Sequence, residues 1–224
     1  VRDAVIAMRK AQPAWAKRTA YNKAQILYRI AEVLEGRTEQ FMQASTDEGV
    51  KPAQARIEIE TAIDRLVYYA GWCDKYIQLF SSVNPVESSH FNFTYPEPTG
   101  IVALIAPPVA GLLALVSLIA PAIAGGNTVL LMAHSKFPIT AVTFTEVLHA
   151  SDVPAGVVNI LTGTMDEVIK QFATHMDINA VVYAGPSDDT LTLLESNAAL
   201  SVKRISTNYF GNYADANAQN PYLI

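Results

Sequence analysis

Cysteine is nearly missing from this chain. Cys73 is the single one among 224 residues, which excludes an intrachain disulfide framework and any multi-cysteine metal site. A reducing, cytoplasmic compartment is the default expectation. Positive charge is also in short supply: Lys and Arg number 16 against 21 Asp and Glu, for a formal net charge of −5. With no basic block, there is no electrostatic footprint for nucleic acid or an anionic membrane. The motifs that announce common chemistries are absent too: Gly-x-Gly-x-x-Gly, a Walker-type loop, His-Glu-x-x-His and Gly-x-Ser-x-Gly. His90, His134, His149 and His175 are scattered, none spaced with a second histidine or an acid as a metal pair, so no metal site is expected. No charged-then-apolar leader with a small-residue cleavage site precedes the first helix. The first residue is Val1 and helix-like sequence begins at once, so the chain reads as a segment of something longer.

What is abundant is apolar material, 50% of the residues, enough for a sizeable core. It peaks at residues 100–135, which hold no Asp, Glu, Lys or Arg. The run exceeds the ~20 residues a spanning helix needs, but Pro107, Pro108, Gly111, Pro121, Gly125 and Gly126 cut it into pieces too short to span. The better reading is a strand (Ile101–Ala106), a turn, a helix (Leu112–Ala124), a Gly-Gly-Asn turn and a second strand (Thr128–Ala133). Parallel strands covered on both faces have this near-continuous hydrophobic character. The strand-to-helix turn is where open α/β sheets take ligands.

Residues 1–80 read as a helical layer of the same domain. The first helix, 1–16, has a possible kink at Pro13, and Thr19 suits an N-cap for a second with Ile26, Leu27, Ile30, Val33 and Leu34 on one face. Gly36 or Asp47-Glu48-Gly49 breaks that pattern. Pro52 suits the first turn of a long third helix, in which Ile59, Ile63, Leu66, Ala70, Cys73 and Ile77 recur at helical spacing as a buried seam. Cys73 is then a small core residue, and Arg56, Glu58, Glu60, Asp64, Arg65 and Asp74 form a solvated face. Residues 81–99 read as a linker carrying a strand, Phe91–Tyr95, with one aromatic face and no partner nearby in sequence. It is either an edge strand or an arm that pairs with another chain or module. From Gly100 to Gly211 the apolar runs Ile101–Ala106, Thr128–Ala133, Val157–Leu161, Ala180–Tyr183 and Arg204–Asn208 alternate with helical segments 112–124, 139–150, 165–174 and 187–199. That alternation predicts an α/β fold, a Rossmann-like parallel sheet of about five strands with helices on both faces. Residues 212–224 read as a tail or the start of a further segment.

Several stretches have a familiar form: Pro13-Ala-Trp-Ala, Tyr69-Ala-Gly-Trp-Cys-Asp-Lys, Pro98-Thr-Gly-Ile-Val-Ala-Leu-Ile-Ala-Pro, Ala120-Pro-Ala-Ile-Ala-Gly-Gly-Asn-Thr-Val and Val153-Pro-Ala-Gly-Val-Val-Asn-Ile-Leu-Thr-Gly. Together, in order, they resemble the cofactor-binding half of the aldehyde dehydrogenase superfamily. The resemblance implies a Rossmann-like domain that binds NAD(P) without the Gly-rich fingerprint. It also implies site positions, and these depart from the family pattern. Val109 stands where the family has the asparagine that holds a developing oxyanion. Met132 and Ser135 stand where a lysine and a glutamate grip the adenosine ribose. Tyr183-Ala184-Gly185-Pro186 replaces Phe-Thr-Gly-Ser beside the pyrophosphate. Asn208 replaces a glutamate general base.

The chain also stops about where the family's nucleophilic cysteine domain would begin, so no catalytic residue is expected here. What remains for a nucleotide is a vestigial set, Ile105, Met132, Ser135, Gly163 and Gly185, with backbone groups near Ile105, Gly163 and Gly185 as its donors. No cofactor is expected to bind tightly, and NAD(P) if any. The pattern resembles most the degenerate C-terminal modules of two-module family-16 aldehyde dehydrogenases. Those imply a non-catalytic partner of an active aldehyde dehydrogenase module, with oligomerisation through the Phe91–Tyr95 strand.

Overall fold

A computed structural model of the chain describes residues 1–185 and 189–207. Nine helices are described: α1 (Arg2–Ala16), α2 (Ala20–Gly36), α3 (Thr38–Asp47), α4 (Pro52–Trp72), α5 (Tyr76–Phe80), α6 (Gly111–Ala124), α7 (Pro138–Ala150), α8 (Met165–Thr174) and α9 (Asp189–Ala198). The strands are β1 (Ser82–Asn84), β2 (Asn92–Thr94), β3 (Ile101–Ile105), β4 (Thr128–Met132), β5 (Val158–Leu161), β6 (Ala180–Tyr183) and β7 (Arg204–Thr207). The last five form one sheet in the order β5-β4-β3-β6-β7, parallel throughout.

The sheet sorts the helices by the two-residue period of its strands. Val102 and Leu104 of β3, with Val129 and Leu131 of β4, face α6 and α7. Ile101, Ala103 and Ile105, with Leu130 and Met132, face α1, α8 and α9. Helix α6 is buried along its whole length because α2 and α4 cover the side turned away from the sheet. That is the condition under which a helix apolar all round is stable in water. The N-terminal helices are therefore not one layer: α1 packs largely on the second face, while α2 and α4 lie outside α6 on the first.

Local signals explain most boundaries. Thr19 caps α2, its hydroxyl accepting the Asn22 N–H at 3.2 Å. Pro52 opens α4 where a missing N–H costs nothing. Pro13 lies within α1, which runs through it. The strand Arg204–Asn208 is described only as far as Thr207, and the start expected at Ser187 for the last helix lies outside the described residues.

Four expectations need correction. Helix α3 has no counterpart in the sequence reading; it follows α2 almost without a break, and Phe41 and Ala44 bury its inner face. The seam of α4 holds through Ile59, Leu66, Ala70 and Cys73, but Ile77 is 42% exposed. The helix ends at Trp72 and restarts as α5, so the phase is lost and Tyr76 turns inward instead.

The face read as solvated is solvated at Arg56, Glu60, Asp64 and Asp74 only. Glu58 and Arg65 are buried, Arg65 at 2% exposure, where its guanidinium donates to the Ser117 hydroxyl at 2.5 Å. Ser117 is the one hydroxyl in α6 and supplies the acceptor a buried cation requires. Finally, the aromatic strand has a partner close in sequence: β2 pairs antiparallel with β1, Val83 facing Phe93. The polar turn between them hides a short hairpin.

A carboxylate from a distance closes the start of α7. The Glu48 Oε1 accepts the N–H groups of Ile139 at 2.6 Å and Thr140 at 3.1 Å, and its other oxygen accepts the Thr140 hydroxyl at 2.5 Å. It satisfies donors every helix leaves open and meets the positive end of the helix dipole. Glu48→Ala is expected to lower the unfolding free energy by about 1–2 kcal/mol in urea titration, with Glu48→Gln losing less.

Cys73 lies at 2% exposure. Burial foremost pushes its thiol up to about 12, against a smaller opposing pull from Lys23. A raised acid favours the folded state fully below the unfolded value and progressively less as pH climbs toward about 12. Native protein at pH 8.5 should therefore resist iodoacetamide and be labelled stoichiometrically only after denaturation, as intact mass would read. Rapid native labelling would refute the buried placement.

Candidate functional site

The five parallel strands end together at one edge. Ile105 pairs with Met132 on one side and Tyr183 on the other, and Met132 pairs with Leu161. From β3 the chain moves outward to β4 and β5, then returns to add β6 and β7 on the opposite flank. The order reverses between β3 and β6, so the crevice beyond Ile105 and Tyr183 is the switch point where such sheets take ligands. Of the expected site residues, Ile105 and Met132 are strand ends, while Ser135, Gly163 and Gly185 lie two or three residues beyond theirs.

The edge is tied to itself. The Ala184 N–H donates to the Ile105 carbonyl at 3.2 Å, the Ala106 N–H to Met132 at 3.0 Å and the Ala133 N–H to Leu161 at 2.9 Å. Ile105 is fully buried with its carbonyl engaged. Met132 is 1% exposed and belongs to the core cluster with Met8, Ile105 and Tyr183. Ser135 is exposed in the β4–α7 turn. Gly163 is exposed at φ +145°, a conformation that favours glycine, with open space around it.

Aromatic side chains the sequence reading passed over shape the rest of the crevice. The Tyr183 ring folds back over Gly185 so closely that a Cβ there would lie 2.4 Å from it. The Phe137 ring lies over the first turn of α6, 2.9 Å from where a Cβ of Gly111 would sit. His134 stands 6.5 Å from Phe137, centroid to centroid, and its Nδ1 accepts the Lys136 N–H at 3.2 Å. Burial first, then the Lys136 charge, hold this imidazole below its ordinary value, so it is neutral at pH 7. Val109 is half exposed at the mouth, and Ala110 precedes α6 with φ +52°, a strained setting for a residue with a Cβ. Gly111 and Gly185 leave the bare backbone on which the two rings rest.

Chemically, the three expected positions supply an isopropyl group at Val109, a buried thioether at Met132 and a hydroxyl at Ser135, none of them a cation or carboxylate that could grip a ribose or phosphate. Those three side chains do not fit the grip on a dinucleotide, and the imidazole of His134 and the ammonium of Lys136 are the ionisable groups of the adjoining turn. Asn208 lies outside the described residues.

The sheet order and its switch point define a Rossmann-like α/β chain. The family model described as the aldehyde dehydrogenase family matches residues 1–214, and the chain belongs to that family. It is 28% identical to the mitochondrial benzaldehyde dehydrogenase of Antirrhinum majus, with 100% of this chain and 41% of that protein covered. It is 30% identical to the cytosolic 10-formyltetrahydrofolate dehydrogenase of Xenopus tropicalis, with 86% and 22% covered. Among solved structures, PnpE from Pseudomonas sp. WBC-3 superposes with a TM-score of 0.85 at 26% identity, covering 91% of this chain and 42% of that one. PnpE is also known in complex with nicotinamide adenine dinucleotide, and that structure superposes at 0.86. The chain thus spans about two-fifths of the benzaldehyde dehydrogenase and of PnpE.

Gly185→Ala should force the Tyr183 ring out of the crevice and cost about 1–3 kcal/mol. In a Tyr183→Val background, Gly185→Ala should cost much less, measured as a double-mutant cycle in urea. Additive effects would contradict the contact.

Proposed function

We propose that this chain is a non-catalytic aldehyde-dehydrogenase-like module with a structural role, packing on and stabilising a catalytic aldehyde dehydrogenase module in the same chain or a partner chain. One observation carries the reading: Met132, at the position the family gives to a ribose-binding lysine, is part of the apolar core. A group absorbed into the core is unavailable to a ligand. Val109 and Ser135 point the same way by their chemistry.

The assembly half of the reading is supported by the β1–β2 hairpin. Phe91, Phe93 and Tyr95 are 73%, 55% and 50% exposed and stack in sequence at 5.5 and 5.9 Å between centroids, with Val83 across from them. Such a ribbon buries little against its own chain and presents open strand edges, the means by which strands pair between chains. Oligomerisation through this strand, in a cytoplasmic setting without nucleic acid or membrane, completes the proposal. Among the described residues no helix is long and apolar enough to cross a membrane.

Calorimetric titration with NAD and NADP is expected to give no saturable heat at micromolar concentrations. Clear micromolar binding would overturn the reading of a lost cofactor site. Separately, Phe91→Ser with Phe93→Ser should shift the sedimentation coefficient of the protein toward that of its smallest species, leaving its thermal midpoint within a few degrees.

A second reading, a residual NAD(P)-binding half of an aldehyde-oxidising enzyme, rests on the bare backbone at Gly163 and the retained switch-point geometry. Crystals soaked in NADP that show density beyond the carboxyl ends of β3 and β6 would favour it over the first.

A further inference from the structure

Positive charge is scarce overall but not evenly spread. Arg2, Arg9, Lys10, Lys17 and Arg18 fall within the first 18 residues, opposed there only by Asp3. Two of these cations rim a cleft that the crevice chemistry does not involve. It lies at the amino end of β5, between α1 and the 154–157 turn, and has a volume of about 380 Å³.

The cleft is built, not incidental. Gly156 holds φ +85°, and a Cβ there would lie 2.6 Å from the Ala7 carbonyl, so the turn sits directly on α1. Ala11, Ala14 and Pro154 give it an apolar lining above the buried Trp15, with Lys10 and Arg18 at its edge and no carboxylate among its lining residues. The indole is anchored through its N–H to the Ile123 carbonyl at 3.1 Å. Arg18 is positioned before any ligand arrives: its Nη1 donates to the Asn22 Oδ1 at 2.6 Å, and its guanidinium carbon stands 5.7 Å from the Trp15 ring centroid. An arginine held on an aromatic face keeps its planar fork oriented, the geometry that matches a carboxylate. Apolar floor, fixed cation and a volume at the small end of ligand sites together select the ligand.

We infer that this cleft binds a small organic monocarboxylate, its apolar body on Ala11, Ala14 and Pro154 and its carboxylate on Arg18 and Lys10.

Trp15, buried beneath the cleft with the Arg18 guanidinium over its ring, is the reporter. Trp72, the only other tryptophan, stacks on Phe80 and can be removed as Trp72→Phe. In that background, sodium benzoate should change Trp15 emission saturably, with half-saturation on the order of 1 mM for a ligand of this size. Benzamide, the neutral isostere, should bind at least ~10-fold more weakly, and Arg18→Gln should weaken benzoate by a similar factor. Ala14→Leu, which fills the cleft from a solvent-facing helix position, should abolish the response while the thermal midpoint holds. Lys10→Gln gives a second charge variant on an exposed site, expected to lose several-fold. No saturation by ~20 mM benzoate, equal binding of benzamide, or an unchanged response in Ala14→Leu would each overturn the inference. Because the readout needs no nucleotide and lies at the opposite end of the strands, its failure is separable from that of the assembly reading.

Discussion

The fold depends on covering α6 from both sides. Its residues, Gly111 through Ala124, are all buried, and a helix with no polar face has no stable place at a surface. Each of its large aliphatic side chains, Leu112, Leu113, Leu115, Val116, Leu118, Ile119 and Ile123, gains about 1.5–3 kcal/mol by leaving water. That gain is realised only if the sheet lies on one side and α2 with α4 on the other. The N-terminal helices are thus a structural necessity of the most apolar stretch. The same burial explains Arg65, whose long side chain reaches across the α4–α6 contact to the only hydroxyl α6 offers.

A second constraint follows from the parallel sheet. Because β3 and β4 are buried on both faces, successive residues must each meet a different set of helices, and a shift by one residue would exchange them. The chain pins that register at its amino edge with side chains. Asn179 Oδ1 accepts the Ile101 N–H at 2.9 Å and Asn127 Oδ1 accepts the Gly100 N–H at 3.0 Å. Nearby, the buried ammonium of Lys203 donates to the carbonyls of His175 and Ile178 at 2.8 and 2.6 Å, where α8 ends. Cations are favoured at that end of a helix. Its burial lowers the ammonium below its ordinary value, a cost these carbonyls offset.

Alternation of apolar runs with helical segments was enough to read the five parallel strands and helices α6 to α9, because prolines and glycines cut the one rival reading, a membrane span over 100–135, into pieces too short to cross. The hairpin was not legible. Ser82–Asn84 carries three residues of mixed polarity, and its pairing comes from Asn84, whose side-chain amide donates to Asn92 at 3.1 Å and to Thr94 at 2.8 Å. Nor was the burial of Glu58 and Arg65, since charge predicts exposure until a partner is known. For the crevice, the identities at Val109, Met132 and Ser135 were plain in the sequence. Their surroundings were not: the rings of Tyr183 and Phe137 come to rest on Gly185 and Gly111 through backbone geometry that no spacing rule encodes.

That difference bears on what the packing around the crevice asks of these positions. A lysine at the end of β4 would have to keep its ammonium solvated or paired beside Met8 and Tyr183, against a desolvation cost. A methionine there adds a flexible apolar side chain to the cluster and asks for no partner. Valine at position 109 likewise leaves no donor to satisfy. At Met132 the apolar side chain therefore suits the packing, whereas Val109 and Ser135 lie at exposed positions that the core does not constrain. Buried or capping polar side chains stand where the fold itself uses them: Glu48 at the start of α7, Arg65 beneath α6, Lys203 behind α8. Arg18, held beside Trp15 and on Asn22 at an exposed rim, makes no packing contact of that kind, which leaves its guanidinium oriented and available to a ligand.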